Sequence, residues 1–154
     1  MNQKLPRWQR IVLHLLAVCV LFLSGCHSAS FLQMQENYGI SLPANCTVLE
    51  TVSVFAGFDR IALHKLQYEE DTVSELFRWK EFDDSARKES DQIFSVLKED
   101  EQRDPSIHAS GLIAEITEKY PELLYDRVSE KKGIVCYLLF DRANLVMYVC
   151  EAND

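Results

Sequence analysis

Two pairs of β-rich stretches constrain the fold of this chain more than any other feature. TVLETVSVF (47–55) and RIALHKLQY (60–68) flank AGFD, while GIVCYLLF (133–140) and LVMYVC (145–150) flank DRAN. β-branched and aromatic residues favour strands, and Gly, Asp and Asn favour the turns between them. The sequence therefore predicts two antiparallel hairpins. In the first, Ile61 and Leu63 are expected on the buried side and His64 on the solvent side.

Between the hairpins, apolar residues recur at intervals of three and four, as in amphipathic helices. The apolar stripes are Val73, Leu76 and Phe77 in a helix over 72–81, Ala86, Ile93, Phe94 and Leu97 in a helix over 84–99, and Leu112, Ile113, Ile116 and Tyr120 in a helix that starts near Pro105 and stops at Pro121. KEDEQRDPS (98–106) is predicted to be a polar linker. The expected class is α+β: two antiparallel hairpins forming one sheet, with the amphipathic helices inserted between them and packed on one face.

The start of the chain has the composition of an export signal. Lys4, Arg7 and Arg10 precede an apolar run over 11–23, and no acidic residue occurs before it. Thirteen helical residues span roughly 20 Å, which is too short for a hydrocarbon core of about 30 Å. The pattern is therefore typical of a signal peptide and not of a transmembrane helix.

The end of that run, Leu23-Ser24-Gly25-Cys26, resembles the lipobox of bacterial lipoproteins. The resemblance implies cleavage between Gly25 and Cys26, and acyl chains such as palmitate on Cys26; an ordinary signal with an unmodified thiol is the alternative. The expected organisation is a removed signal peptide (1–25), a lipidated Cys26 with its tether (26–40), and a single domain (41–154). His27 stands where lipoproteins retained in the inner membrane carry Asp, so in a Gram-negative host we expect the outer membrane, facing the periplasm.

The charge of the mature chain limits its partners. Removal of residues 1–25 takes away three cations and no anion, and leaves 13 Lys and Arg against 24 Asp and Glu, a net charge of −11. Such a domain is repelled by phosphate backbones and anionic headgroups. We therefore expect no nucleic-acid partner, a membrane contact through the acyl chains on Cys26, and an envelope protein as the candidate partner.

Cys46, Cys136 and Cys150 remain in the mature domain beside Cys26. If the second hairpin has a three-residue loop over 142–144, Cys136 lies opposite Cys150, and a disulfide between them is feasible in the oxidising periplasm. Buried thiols, or a bridge from Cys46 to either cysteine, are the alternatives. No cysteine or histidine spacing indicates a metal or a cofactor.

The histidines and acids suggest no catalytic set. His27 lies in the tether, His64 is expected at the surface, and His108 lies near a predicted helix start. A nucleophilic Cys136–His64 pair requires the two hairpins to meet. The acidic clusters over 69–71 and 83–84 lack the alternating ligands and glycine of a calcium loop. The sequence therefore predicts a protein that is not an enzyme.

Two stretches resemble small uncharacterised bacterial envelope lipoproteins. They are LPANCTVLETVSVFAGFDRIALHKLQY (42–68), similar to the opening strands of those proteins, and GIVCYLLFDRANLVMYVCEAND (133–154), similar to their final hairpin. That family implies the fold and no established activity. The expected function is a lipid-anchored envelope protein that is a protein-binding or structural module. The alternatives are an immunity or inhibitor lipoprotein against a periplasm-acting toxin, and a small Cys-dependent enzyme.

Overall fold

The computed structural model describes residues 42–43, 45–56, 59–129 and 134–153, within one compact unit, Tyr38–Asp154. The predicted signal peptide, the Gly25–Cys26 cleavage site and the tether up to residue 40 lie outside the described residues. No helix within the described ranges is long and apolar enough to cross a membrane.

The described elements form one antiparallel sheet and two α-helices. In chain order they are β1 (Cys46–Ala56), β2 (Asp59–Tyr68), β3 (Lys80–Glu81), α1 (Asp84–Arg103), α2 (Ser110–Glu118), a 3₁₀ turn (Tyr120–Glu122), β4 (Leu124–Ser129), β5 (Ile134–Asp141) and β6 (Val146–Asn153). The strand order is β1-β2-β6-β5-β4-β3. The α+β class and the single sheet are confirmed, and the two predicted hairpins meet where β2 pairs with β6. The picture of two hairpins alone is incomplete, because β4 and β3 extend the sheet beyond β5.

Helix α1 follows the predicted stripe. Asp83 caps its start by accepting a hydrogen bond from the Ala86 N–H at 2.8 Å, and the stripe residues Ala86, Ile93, Phe94 and Leu97 are buried. The helix continues to Arg103, so six of the nine residues of the predicted linker are helical. It ends there because the residue before a proline is driven out of helical geometry, and Asp104, before Pro105, is extended at φ −130°.

The helix predicted over 72–81 is wrong. Asp71 caps only a single turn, accepting hydrogen bonds from the Ser74 N–H at 3.0 Å and hydroxyl at 2.7 Å. The chain then brings Trp79 onto Phe140, with ring centroids 5.3 Å apart, and the Trp79 indole donates to the Val73 carbonyl at 3.1 Å. Packing of these aromatic rings on the sheet outweighs the modest helix propensity of the segment.

The third predicted helix begins later than Pro105. Asp104 accepts hydrogen bonds from the backbone N–H and hydroxyl of Ser106, which makes a turn, and α2 starts at Ser110. Leu112, Ile113 and Ile116 are buried, as the stripe predicted. Pro121 ends the helix by starting the 3₁₀ turn.

Both helices pack on one face of the sheet, here called the helix face. Its core joins α1 and α2 to strand residues that include Val52, Leu63, Leu139, Tyr148 and Cys150. The other side, here called the opposite face, is also buried: Ala62, Leu66, Leu138, Met147 and Val149 have no exposed surface. Strands covered on both faces carry continuous apolar runs, and IVCYLLF in β5 is such a run.

The predicted register of the second hairpin is wrong by one residue. Asp141 pairs with Val146, so the turn holds four residues, 142–145, and Cys136 lies opposite Glu151 while Cys150 lies opposite Tyr137. Side chains alternate between faces along a strand, so the two thiols point to opposite faces. The predicted Cys136–Cys150 bridge is therefore excluded. Cys46, on β1, lies at least two strand spacings, roughly 9.5 Å, from β5 and β6, beyond the reach of a disulfide.

Hydrogen bonds of the turn explain the extra residue. Asp141 accepts from the Asn144 backbone N–H at 3.0 Å and side-chain amide at 2.8 Å. Leu145 then adopts a left-handed backbone at φ 54°, and its carbonyl accepts from the Tyr68 N–H at 2.9 Å. These contacts with β2, far away in sequence, select the four-residue turn.

Candidate functional site

A groove of about 720 Å³ runs along the outer edge of β1. One wall consists of residues 50–54, and the other is the end of α1 with the segment over 104–108. Among the described strands, β1 has a neighbour on one side only, so its second edge faces this groove. The proline-induced end of α1 places the second wall there, since the chain turns back through the Ile107 N–H bonded to the Asp104 carbonyl at 3.0 Å.

The groove has an apolar floor and an acidic rim. Val52 and Val54 are 7% and 4% exposed, and Ile107 is packed against the same core. Glu50, Asp100 and Asp104 also line the groove, together with Arg103, so acids outnumber cations in the lining. Hydrogen bonds from the Ser106 hydroxyl and N–H hold the pKa of the Asp104 carboxyl below its usual range, so this acid stays charged at neutral pH.

Asp100 offers an unused acceptor in the groove wall. Its Oδ1 binds Arg103 Nη1 at 3.1 Å, and Arg103 also contacts Glu99. Asp100 Oδ2 is buried and has no hydrogen-bond partner among the described residues. Buried acceptors are normally paired, but this oxygen has almost no exposed surface, so a donor from outside the domain reaches it only if the groove wall moves.

A second polar arrangement crosses the opposite face of the sheet. His64 Nδ1 lies 3.0 Å from Thr51 Oγ1, and His64 Nε2 lies 3.0 Å from Glu151 Oε1. The register produces this chain of contacts, because Thr51 pairs with His64 and Glu151 pairs with Ala62, two residues before His64 on β2. The expectation that His64 is a surface residue is wrong, since it is 4% exposed and Glu151 is 2% exposed.

Thr51, His64 and Glu151 are linked in the same order as the nucleophile, base and acid of a catalytic triad. A catalytic triad also needs room for a substrate beside the nucleophile and donors for the developing oxyanion. His64 and Glu151 are enclosed in the sheet, and only Thr51 is exposed. The arrangement therefore fits a structural network that holds β1, β2 and β6 in one register.

The cysteines do not approach His64 in a reactive geometry. Cys136 shares the opposite face with His64, but β6 lies between their strands, which separates their backbones by roughly 9.5 Å or more. Cys150 is enclosed on the helix face, and burial raises the pKa of its thiol far above the usual range. Since the thiolate is the nucleophile, neither placement supports the Cys-dependent alternative.

A network of charged groups attaches α2 to the sheet. Lys65 Nζ binds Glu115 Oε2 at 2.6 Å, and Lys119 Nζ binds Asp141 Oδ2 at 2.7 Å. The Tyr148 hydroxyl donates to Glu115 Oε1 at 2.7 Å. Burial disfavours the charged form of Glu115, but the bonds from Lys65 and Tyr148 outweigh it and lower the pKa of this carboxyl. Sequence reasoning missed this network, because its members are far apart along the chain.

The remaining predicted site residues have structural contacts. His108 and Ser106 lie in the groove wall, and His108 stands two residues before the start of α2 at Ser110. In the acidic cluster over 69–71, Asp71 binds Arg142 Nε at 3.2 Å, and Asp83 of the second cluster caps α1. No group of three or more His, Cys, Asp or Glu side chains among the described residues could hold a metal ion.

The groove is the feature that sequence reasoning missed. Its β1 wall was predicted as a strand, but nothing local indicates that the end of α1 lies beside it.

Comparisons of the chain with protein-family models, with curated proteins and with solved structures find no significant match.

Proposed function

We propose that this chain is a lipid-anchored protein of the bacterial envelope, held in the outer membrane by acyl chains on Cys26, and that its acidic domain binds another protein in the periplasm. The support for the anchor is the order of three cations, an apolar run and Leu23-Ser24-Gly25-Cys26. Two or more acyl chains hold a protein firmly on a membrane, because each buried methylene contributes about 0.8 kcal/mol. The anchor leaves the domain free to meet a partner.

The observation that carries the binding role is the open groove along the edge of β1. Its floor is apolar, and its lining holds three acids, Glu50, Asp100 and Asp104, against one arginine, Arg103. The groups best suited to catalysis by residue type, His64, Glu151 and Cys150, are enclosed in the sheet. An open groove together with enclosed catalytic residue types supports a binding module over an enzyme.

The anchor is tested by Cys26→Ser in the full chain, with Cys19→Ser as the matched control, because Cys19 lies within the segment that is removed. We expect palmitate labelling and the mass of the diacylated product to disappear in Cys26→Ser and to persist in Cys19→Ser. Undiminished palmitate labelling of Cys26→Ser contradicts the proposal.

The binding role is tested by affinity purification of the full lipidated protein from detergent-solubilised envelopes of cells grown under several conditions. We expect one envelope protein to be recovered in stoichiometric amount. Recovery of the lipoprotein alone under every condition contradicts a binding role and favours a purely structural component.

A narrower candidate is an immunity or inhibitor lipoprotein against a periplasm-acting toxin. The acidic rim of the groove favours it, since complementary charge speeds association with a basic active-site cleft. Its test is growth of cells that export a toxin encoded beside this gene, with and without the lipoprotein. Equal growth arrest in both strains contradicts this candidate.

A further inference from the structure

We propose that the β1 groove binds an extended segment of the partner as an added antiparallel or parallel strand, and that this segment carries two apolar side chains and one Lys or Arg on the same face. The proposal rests on the proposed binding function and specifies the chemistry of the partner.

The groove follows the backbone edge of β1. Five consecutive residues, 50–54, line it, although consecutive side chains of a strand point to opposite faces. A groove on one face of the strand would contact only every second residue. Since this groove contacts all five in turn, it follows the strand edge, where the backbone N–H and C=O groups lie. The β1–β2 register is continuous from Glu50 to Ala56 and shifts only between Val48 and Glu50, so this part of the edge is regular.

The size of the groove suits a short strand. Five residues extend over roughly 17 Å, the length of a common strand. The volume of about 720 Å³ lies within the range of roughly 300–1,000 Å³ found for ligand sites. Peptides that add to sheet edges gain affinity from backbone hydrogen bonds and specificity from pockets for alternate side chains.

The lining specifies which side chains fit. Val52 and Val54 both point to the helix face, where they are already buried, so two apolar side chains spaced two apart on the added strand would continue that apolar row beside them. Glu50 and Asp104 favour a cation on that same face, since Arg103, the arginine of the lining, is already bound to Asp100. The other side of the added strand would lie beside the exposed Thr51 and Ser53, which accept polar residues.

A second copy of this chain is a poor occupant. Pairing of two β1 edges would place the acidic rims of two copies, each with Glu50, Asp100 and Asp104, against each other. Each mature chain has a net charge of −11, which adds long-range repulsion. The charge therefore selects a basic segment of another protein.

The first test uses the full lipidated protein in detergent and the synthetic heptapeptide Ser-Val-Thr-Val-Thr-Lys-Ser, together with its reversed order. The peptides are also made with N-methyl groups at alternate residues, which gives two sets of methylated peptides. N-methylation removes the backbone N–H, and only one of the two alternating sets of amides can point at β1. We expect one N-methylated set to lose at least tenfold in affinity and the other set to retain it. Equal binding of both sets, or no binding of either unmodified peptide, overturns the added strand.

The second test changes the groove. In Asp104→Asn and Glu50→Gln we expect affinity for the heptapeptide to fall about tenfold, as for loss of a charge-assisted hydrogen bond. The matched control Glu118→Gln removes one negative charge from an exposed site outside the groove and is expected to leave affinity within twofold. A loss as large in the control shows that net charge, and not the groove, decides binding. Sedimentation at twice the protomer mass assigns the edge to a second copy instead.

The third test separates this inference from the proposed function. A photo-reactive amino acid at Ser53, in the groove, is compared with one at Ser95, on an exposed part of α1. Cross-linking of the native partner through Ser53 supports the inference. A partner that is recovered but cross-links only through Ser95 leaves the binding role intact and overturns the groove as its site.

Discussion

Apart from Thr51 beside His64, the side chains around His64 and Glu151 on their face of the sheet, such as Ala62 and Val149, are apolar. The His64 ring nitrogen and the Glu151 carboxylate oxygen are 3.0 Å apart, with almost no exposed surface on either residue. A buried polar atom that loses its partner costs more than the bond itself contributes, because water cannot replace the partner. The pair therefore matters more for specifying the register than for net stability.

We expect Glu151→Leu and His64→Leu each to lower the free energy of unfolding by about 1–3 kcal/mol, because each leaves a buried polar atom unpaired. The double replacement is expected to cost less than the sum of the two, since it removes both polar groups. Urea unfolding followed by tryptophan fluorescence measures the free energy of unfolding of each variant, as Trp79 is the one tryptophan after residue 25.

Ser53→Ala is the control for that series, because Ser53 is exposed on the same strand and lies outside the Thr51–His64–Glu151 network, so its replacement should cost less than about 1 kcal/mol. Strict additivity of the His64 and Glu151 replacements contradicts the coupling.

Leu145 provides a second prediction at the same scale. Its left-handed backbone at φ 54° is unfavourable for a side chain and worst for a β-branched one. We expect Leu145→Gly to be more stable than Leu145→Val by about 1–2 kcal/mol, as measured by urea unfolding of the two variants. Equal stability would mean that the turn relaxes to another conformation.

At the scale of elements, α2 is held to the sheet by charge as well as by its apolar stripe. Lys65 and Lys119 reach Glu115 and Asp141. Burial opposes the charge of Asp141, but Lys119 and Asn144 donate hydrogen bonds that lower the pKa of this carboxyl below its usual value. Both acids are thus more easily charged in the folded chain than in the unfolded one.

Stability should therefore fall in acid. A carboxyl with a lowered folded-state pKa contributes fully above its unfolded-state pKa, near 4 to 4.5, and loses that contribution as the pH falls through the folded-state value. We expect the free energy of unfolding to decline from about pH 5 downward and the decline to be shallower in Glu115→Gln and Asp141→Asn. Urea unfolding between about pH 3 and pH 7 measures the slopes.

The exposed Glu118→Gln is the control for that series and should keep the wild-type slope. An unchanged slope in both Glu115→Gln and Asp141→Asn would place the acid sensitivity elsewhere in the domain.

At the scale of the whole molecule, an acidic domain follows a predicted lipid anchor. The proposed mature chain has a charge of −11 and would be repelled by anionic headgroups, so in our proposal attachment depends on acyl chains on Cys26. The domain then presents the β1 groove to the periplasm in the same proposal. Residue 27, which follows the cysteine proposed to be acylated, is the position that would decide in which membrane this happens.

We expect His27→Asp to move the lipoprotein from the outer to the inner membrane, because Asp after the acylated cysteine resembles the retention signal of inner-membrane lipoproteins. His27→Ala is the matched control and should remain in the outer membrane. Separation of the two membranes by density gradient and detection of the protein in each fraction measure the outcome. An unchanged distribution of His27→Asp contradicts outer-membrane sorting by this residue.

Local sequence was sufficient for the elements whose pattern depends on near neighbours. The strands of both hairpins, the buried stripe of α1 and the stop at Pro121 follow from the periodicity and residue types of a few neighbouring positions. The charge balance needs no structure at all. These properties are carried by consecutive side chains and their own backbone, so the sequence by itself determines them.

Only the tertiary structure decided how those elements meet. Contacts of Leu145 with β2 shifted the second hairpin by one residue and separated Cys136 from Cys150. Trp79 packs on Phe140 where the sequence predicts a helix, and His64 lies buried between Thr51 of β1 and Glu151 of β6. The groove arises because α1 ends beside β1. Each outcome depends on residues distant in sequence, whose mutual packing outweighs the weak local preferences of the segments involved.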